Sequence, residues 1–169
     1  VLVASPTAGV KNLDQFLAKV KAAPGKFSYG SSGVGTALHL AGEMVKERAG
    51  LFMTHIPYRG VAPLTTDLVG GNLDYGVFVL SSGLPHIKSG KVVALGTTEA
   101  KRSPLTADIP ALGEHKALKG IDIGSWFVLM GPARLPEAVV ARLKTALAES
   151  LKSPDFRKKM EASGSTVAA

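Results

Sequence analysis

Over its first 97 residues the chain alternates short apolar runs with segments of helical period, and the second run leads into its helix through the glycine-rich turn Tyr29-Gly30-Ser31-Ser32-Gly33-Val34-Gly35-Thr36. This alternation constrains the fold more than any other feature. A strand followed by a helix and another strand in one sheet favours parallel βαβ units with right-handed crossovers, so the pattern predicts an α/β architecture. Strands are expected at residues 1–4, 27–29, 52–56, 73–80 and 92–97. Asn12 with Gln15 three residues later reads as a helix start, after which Leu13, Phe16, Leu17 and Val20 recur at helical spacing until Pro24-Gly25. Thr36 or Ser32 can cap the next helix, with Leu38, Ala41, Met44 and Val45 facing inward and Gly50 closing it. A third helix spans 61–69 before Gly70-Gly71, and residues 82–89 read as one or two helical turns containing Pro85.

The rhythm breaks after Thr98, where Lys101-Arg102-Ser103-Pro104, Asp108-Ile109-Pro110 and Gly120 read as turns and short helical pieces. Residues 126–130, Trp-Phe-Val-Leu-Met, are expected to form a hydrophobic strand. Pro136 then opens a long helix whose Val139, Leu143, Ala146, Leu147 and Leu151 stripe reads as core. Pro154 opens a final one, and no internal repeat occurs.

The turn after Tyr29 carries the chemistry. A βα turn leaves backbone N–H groups unpaired at the positive end of the following helix, so it can hold a small carboxylate or phosphate without any charged side chain. The hydroxyls of Ser31, Ser32 and Thr36 add donors, and Gly33 and Gly35 supply the backbone freedom. His55-Ile56-Pro57-Tyr58-Arg59-Gly60 repeats the strand-to-turn logic and would bring an aromatic ring and a guanidinium to the same sheet edge. The spacing Gly30-x-x-Gly33-x-Gly35 is not that of a dinucleotide site, and Gly35-Thr36 lacks the lysine of a P-loop.

Other classes find little support. The chain has no cysteine, which excludes disulfides, thiolate nucleophiles and zinc-thiolate sites. A net charge of +7 suits an anionic ligand or surface, but the cations are scattered apart from Arg157-Lys158-Lys159 and aromatics are only 6%, which argues against nucleic acid. That basic run reads as a solvated helix face, although a surface docking on another protein would also be exposed and polar. No histidine pair has ligand spacing on one helix, so His39 and His86 read as structural, and there is no Gly-x-Ser-x-Gly elbow. Neither a metal nor a cofactor is expected. The start at Val1-Leu2-Val3-Ala4 reads as mid-strand, which suggests a mature protein without its leader or a piece of a longer one.

In order along the chain, Pro24-Gly25-Lys26, the glycine turn, His39-Leu40-Ala41-Gly42-Glu43, Ile56-Pro57-Tyr58-Arg59-Gly60 and Asp67-Leu68-Val69-Gly70-Gly71 form the first part of a series. Leu84-Pro85-His86-Ile87-Lys88-Ser89-Gly90-Lys91, Lys101-Arg102-Ser103-Pro104, Ile109-Pro110 and Pro132-Ala133 complete it. The series resembles the Bug-type substrate-binding proteins of tripartite tricarboxylate transporters. The resemblance implies a periplasmic-binding-protein fold (type II) of two α/β lobes, with residues 1–97 forming most of the second lobe and 98–169 a crossover and the C-terminal part of the first. It implies a periplasmic receptor, not an enzyme, that binds a small organic acid and presents it to membrane permease subunits. The ligand-binding residues it points to are Tyr29, Ser31, Ser32, Gly33, Gly35, Thr36, Tyr58, Arg59 and Ser81. It also implies that a section carrying a first binding loop lies outside this chain, and that Phe78-Val79-Leu80-Ser81-Ser82 replaces a polar pair of the family.

Two other readings stand beside it. One is an enzyme on the same architecture, for which Arg59, His39 or Asp67 are the titratable candidates. The other is a truncated, non-binding piece in which residues 126–130 pair with another chain as an oligomer or form an altered sheet.

Overall fold

A computed structural model describes residues 1–167. The chain divides into two compact units, Val1–Ser125 and Trp126–Ala169.

The first unit is built on a five-stranded sheet of β1 (Leu2–Ala4), β2 (Ser28–Ser31), β3 (Thr54–Pro57), β4 (Tyr75–Val77) and β5 (Val93–Gly96), in the order β3-β2-β4-β1-β5. Four helices pack on it: α1 (Leu13–Ala22), α2 (Ala37–Ala49), α3 (Val61–Gly70) and α4 (Leu80–Lys88). Strands β3, β2 and β4 are mutually parallel, as the alternation predicts. The expectation of an all-parallel sheet fails at β1, which lies antiparallel between β4 and β5. Its buried run Leu2-Val3-Ala4 has the same apolar pattern in either direction, so periodicity cannot set its sense.

Period-two alternation sends successive side chains to opposite faces. Leu2, Ala4, Tyr75 and Val77 join one core with Phe16 and Val20 of α1 and Leu38, Ala41 and Val45 of α2. Val1, Val3 and Phe78 join the other with Leu64 and Leu68 of α3. The Phe16 and Tyr75 rings meet edge-on at 4.7 Å, a favoured aromatic geometry.

The caps follow the sequence closely. Asn12 Oδ1 accepts the Gln15 N–H at 2.9 Å, while Gln15 Oε1 accepts from Lys11 N–H rather than from the cap residue itself. Helix α4 begins earlier than expected, so Ser81 lies in its first turn and not on a strand end.

Residues beyond 97 continue to pack on the first unit. Thr97 pairs with Ala111, Thr98 with Ile123, and Leu112, Leu118 and Ile121 enter the core beside α1 and α2. Apolar residues carried on single 3-10 turns have no long period, which hid this strap in the sequence.

The second unit holds α5 (Glu137–Lys152) and α6 (Pro154–Ala162), with Ser153 ending one helix and capping the next. Two expectations fail here. Residues 126–130 form no strand, and Trp126, Phe127, Val128, Leu129 and Met130 are all exposed. An apolar run becomes a strand only with a ladder partner, and among the described residues there is none. The α5 stripe is likewise not core: Val139, Leu143 and Leu147 are each exposed, and Leu143 and Leu147 line a groove of about 440 Å³ with Leu129, Met130 and Leu135. No helix among the described residues is long and apolar enough to cross a membrane.

Candidate functional site

Because β2, β3 and β4 are parallel, their C-terminal ends open onto one edge of the sheet, each leading directly to a helix N-terminus. Ligands of open α/β sheets bind at such edges. The N-cap residues are Thr36 for α2, Gly60 for α3 and Val79 for α4, and only Thr36 offers a side-chain cap. The edge therefore concentrates backbone N–H groups and the positive ends of three helices.

The β2–α2 turn is the most elaborate of the three. Gly33 and Gly35 have φ of 132° and 79°, where any side chain would strain the backbone. Thr36 Oγ1 donates to the Gly33 carbonyl at 2.8 Å and accepts from His39 N–H, closing the turn on itself. Ser32 Oγ lies 3.4 Å from Thr36 Oγ1. Among the described residues the N–H groups of Ser32, Val34, Ala37 and Leu38 meet no protein acceptor. Val34 at the tip is 73% exposed.

The sequence-derived candidates separate on this geometry. Ser32, Gly33, Gly35 and Thr36 form the turn itself. Ser31 is fully buried beneath it, and its hydroxyl is occupied by Gly33 and by His55 Nε2 at 2.8 Å. Tyr29 lies under α2, with its hydroxyl donating to Glu43. Tyr58 reaches the same sheet edge, and its carbonyl would lie 3.7 Å from a Cβ at position 33, but its hydroxyl turns to Asp67 of α3 at 2.8 Å. Arg59 is exposed beside it, and Ser81 is half-buried in the first turn of α4.

A polar cluster beneath the turn escaped the sequence reading. His39 and His55 stack with ring centroids 4.2 Å apart, and Tyr29 lies 4.9 Å from His55. Glu43 takes hydrogen bonds from Tyr29 and from Lys46 at 2.8 Å. Burial raises the Glu43 carboxyl, yet the hydrogen bonds from Lys46 and Tyr29 outweigh it and leave the group below its ordinary value. Burial pushes the Tyr29 hydroxyl up and the His55 imidazole down, the latter helped by His39. The i, i+4 and i, i+7 spacing of His39, Glu43 and Lys46 placed them on one face of α2, but nothing local brought His55 to that face. Among the described residues no cluster of three or more His, Asp or Glu could hold a metal.

The arrangement gathers unpaired backbone N–H groups and small hydroxyls at one sheet edge, and comparison with known proteins bears on what it holds. The model of the tripartite tricarboxylate transporter family receptor matches residues 1–169. The chain belongs to this receptor family. Among its relatives is a UPF0065 protein in the tcbD-tcbE intergenic region of Pseudomonas sp. (strain P51), 33% identical over 92% of this chain and 46% of that protein. Another, in the clcB-clcD intergenic region of Pseudomonas knackmussii, is 35% identical over 75% of both chains. Apart from that protein, this receptor chain spans about half the length of the curated relatives it matches.

Three solved structures share the fold of this family member. Rpa4515 of R. palustris with adipate superposes at a TM-score of 0.94 with 28% identity, over 99% of this chain and 56% of that one. MatC of Rhodopseudomonas palustris with bound malate gives 0.90 with 26% identity over 99% and 56%. The periplasmic binding protein BugD gives 0.89 with 32% identity over 98% and 55%. The receptor fold is thus that of periplasmic solute-binding proteins, represented here by about half of such a chain.

Proposed function

We propose that this chain is part of an extracytoplasmic solute receptor that captures a small carboxylate and presents it to the permease subunits of a tripartite transporter. The observation that carries the reading is the convergence of three helix N-termini on one sheet edge, around a turn whose N–H groups at Ser32 and Val34 have no protein acceptor among the described residues. Oriented N–H groups and helix dipoles stabilise a carboxylate without a counter-ion. Structures of the same fold holding adipate and malate support a linear organic acid as the ligand class.

In this reading Ser32, Gly33, Gly35 and Thr36 form the cradle, with Arg59 adding long-range attraction and Ser81 a further hydroxyl at the same edge. Tyr29, Ser31 and Tyr58 support it from below, since their hydroxyls are already engaged. The first unit builds the second lobe of the receptor, the C-terminal unit belongs to the first, and the protein works in the periplasm. The rest of the ligand is held by receptor sequence that the relatives carry beyond the matched half.

The test is a thermal-shift screen of adipate, malate, tricarboxylates and phosphate, followed by calorimetry on the chain and on Ser32→Ala. A carboxylate that raises Tm in proportion to its concentration, and does so less in the variant, supports the reading, because binding to the native state alone stabilises it. Silence from every carboxylate overturns it for this chain.

A second reading rests on one observation, the exposed run Trp126–Met130 beside the open α5 groove. An apolar patch of this kind favours association. In isolation the chain would then form oligomers through this unit, and light scattering at rising concentration tests it.

A further inference from the structure

The binding turn rests on two imidazoles that anion capture itself does not use. Gly35 N–H donates to His39 Nδ1 at 3.1 Å, so that nitrogen carries no proton and the ring proton sits on Nε2, 4.0 Å from Glu43 Oε1. On the other side of the stack, His55 Nε2 lies 2.8 Å from Ser31 Oγ. The same Ser31 oxygen accepts Gly33 N–H at 3.3 Å, and its hydroxyl donates to the Gly33 carbonyl at 3.2 Å, which leaves His55 as the donor to Ser31. The two glycines that shape the cradle are therefore each held by one imidazole, directly at Gly35 and through Ser31 at Gly33.

We propose that His39 and His55 are the positioning residues of the carboxylate cradle, His39 as a neutral Nε2–H tautomer that fixes Gly35 and His55 as the buttress that fixes Ser31 and Gly33. The inference rests on the receptor reading for its binding consequence, and on geometry alone for its structural one. Glycine is the residue with most conformational freedom to lose, so a cradle of two glycines binds tightly only if ordered in advance. The groups facing the pair are Tyr29 from β2, and Glu43 and Lys46 from α2, with the lysine satisfied by Glu43. Protonation of His39 would place a hydrogen on Nδ1 against Gly35 N–H and a positive charge one stacking distance from His55. The cradle thus depends on the neutral pair.

The test begins with the unmutated 15N-labelled chain. Long-range ring spectra above the imidazole titration range should show a single His39 tautomer with Nδ1 unprotonated; the opposite tautomer, or an averaged one, overturns the proposal. His39→Asn keeps an acceptor near Nδ1 and His39→Leu removes it, so Gly35 amide exchange should rise about tenfold or more in the leucine variant alone. His55→Gln keeps a donor near Nε2 and should hold Gly33 amide exchange near wild type, whereas His55→Leu should not. With adipate as probe, affinity should fall about tenfold in the leucine variants and less than about threefold in the conservative ones. If adipate and malate fail to bind even the unmutated chain while tautomer and exchange behave as stated, the receptor reading fails and the positioning role stands. If they bind equally to all four variants, the positioning role is overturned.

Discussion

The Tyr29 ring occupies the space that a side chain at position 42 would need: a Cβ on Gly42 would sit 2.2 Å from Tyr29 Cε2. Helix α2 lies this close to β2 because residue 42 has no side chain, and the approach brings His39 and Glu43 down onto the sheet. Gly42→Ala should therefore destabilise the protein by about 2 kcal/mol in urea unfolding, overpacking outweighing the roughly 1 kcal/mol that alanine gains in a helix. A neutral or stabilising alanine would show that the helix can move away from the strand.

Tyr58 makes a separable prediction. Its hydroxyl donates to Asp67 at 2.8 Å and its ring lies near Gly30, on the face of α3. Tyr58→Phe should cost about 1.5 to 3 kcal/mol, the usual value of a hydrogen bond to a charged acceptor, and leave carboxylate affinity within about threefold. Lost affinity with unchanged stability would place the hydroxyl in the binding site instead.

Gly35 has φ of 79°, and a Cβ placed on it would meet no atom within 4 Å, so backbone conformation and not space limits the position. Gly35→Ala should cost about 1 to 2 kcal/mol and Gly35→Asn distinctly less, since asparagine tolerates the left-handed region. Chemical denaturation of both variants decides it. Equal costs would mean that the turn relaxes to another conformation.

Glu114 carries a pH signature. Its carboxylate takes a two-pronged hydrogen bond from Arg102, 2.8 Å from Nε and 2.7 Å from the terminal nitrogen, and another from Ala111 N–H. The Arg102 contact, with the Ala111 N–H, lowers its pKa from 4.5 to about 2. Since the folded value lies below the unfolded one, its stabilisation is present in full above 4.5 and is lost as pH falls towards 2. The stability difference between wild type and Glu114→Gln should shrink across that window. A difference independent of pH would mean that the pair does not form in solution.

Trp126 is the only tryptophan and is 78% exposed, so it reports on the apolar face of the C-terminal unit alone. The dilute chain should show water-like emission and ready quenching by iodide. A blue shift with rising concentration would register association through residues 126–130, and blue emission at all concentrations would show the face already covered.

Much of the first unit was legible because local rules agreed with the fold. Asn12 and Thr36 are caps by chemistry, Gly50 and Gly71 stop helices in the left-handed region, and the apolar residues of α1 recur with the period of a buried face. The glycine turn was legible for the same reason: such a turn between strand and helix exposes N–H groups wherever it occurs. The cluster under it was not. His55 is distant in sequence from His39, and only the pairing of β2 with β3, Tyr29 opposite His55, puts the two rings in contact.

The sequence by itself determined the alternation of elements, the position of the glycine turn and the membership of the receptor family, all properties carried by short-range pattern and order. Tertiary structure alone decided the antiparallel sense of β1, the return of residues 109–121 to the core, the exposure of residues 126–130 and of the α5 stripe, and which hydroxyls are engaged beneath the glycine turn. Each of these depends on what lies across a sheet or a helix face from a residue. Hydrophobic pattern states that a face must be covered, and only packing states by what.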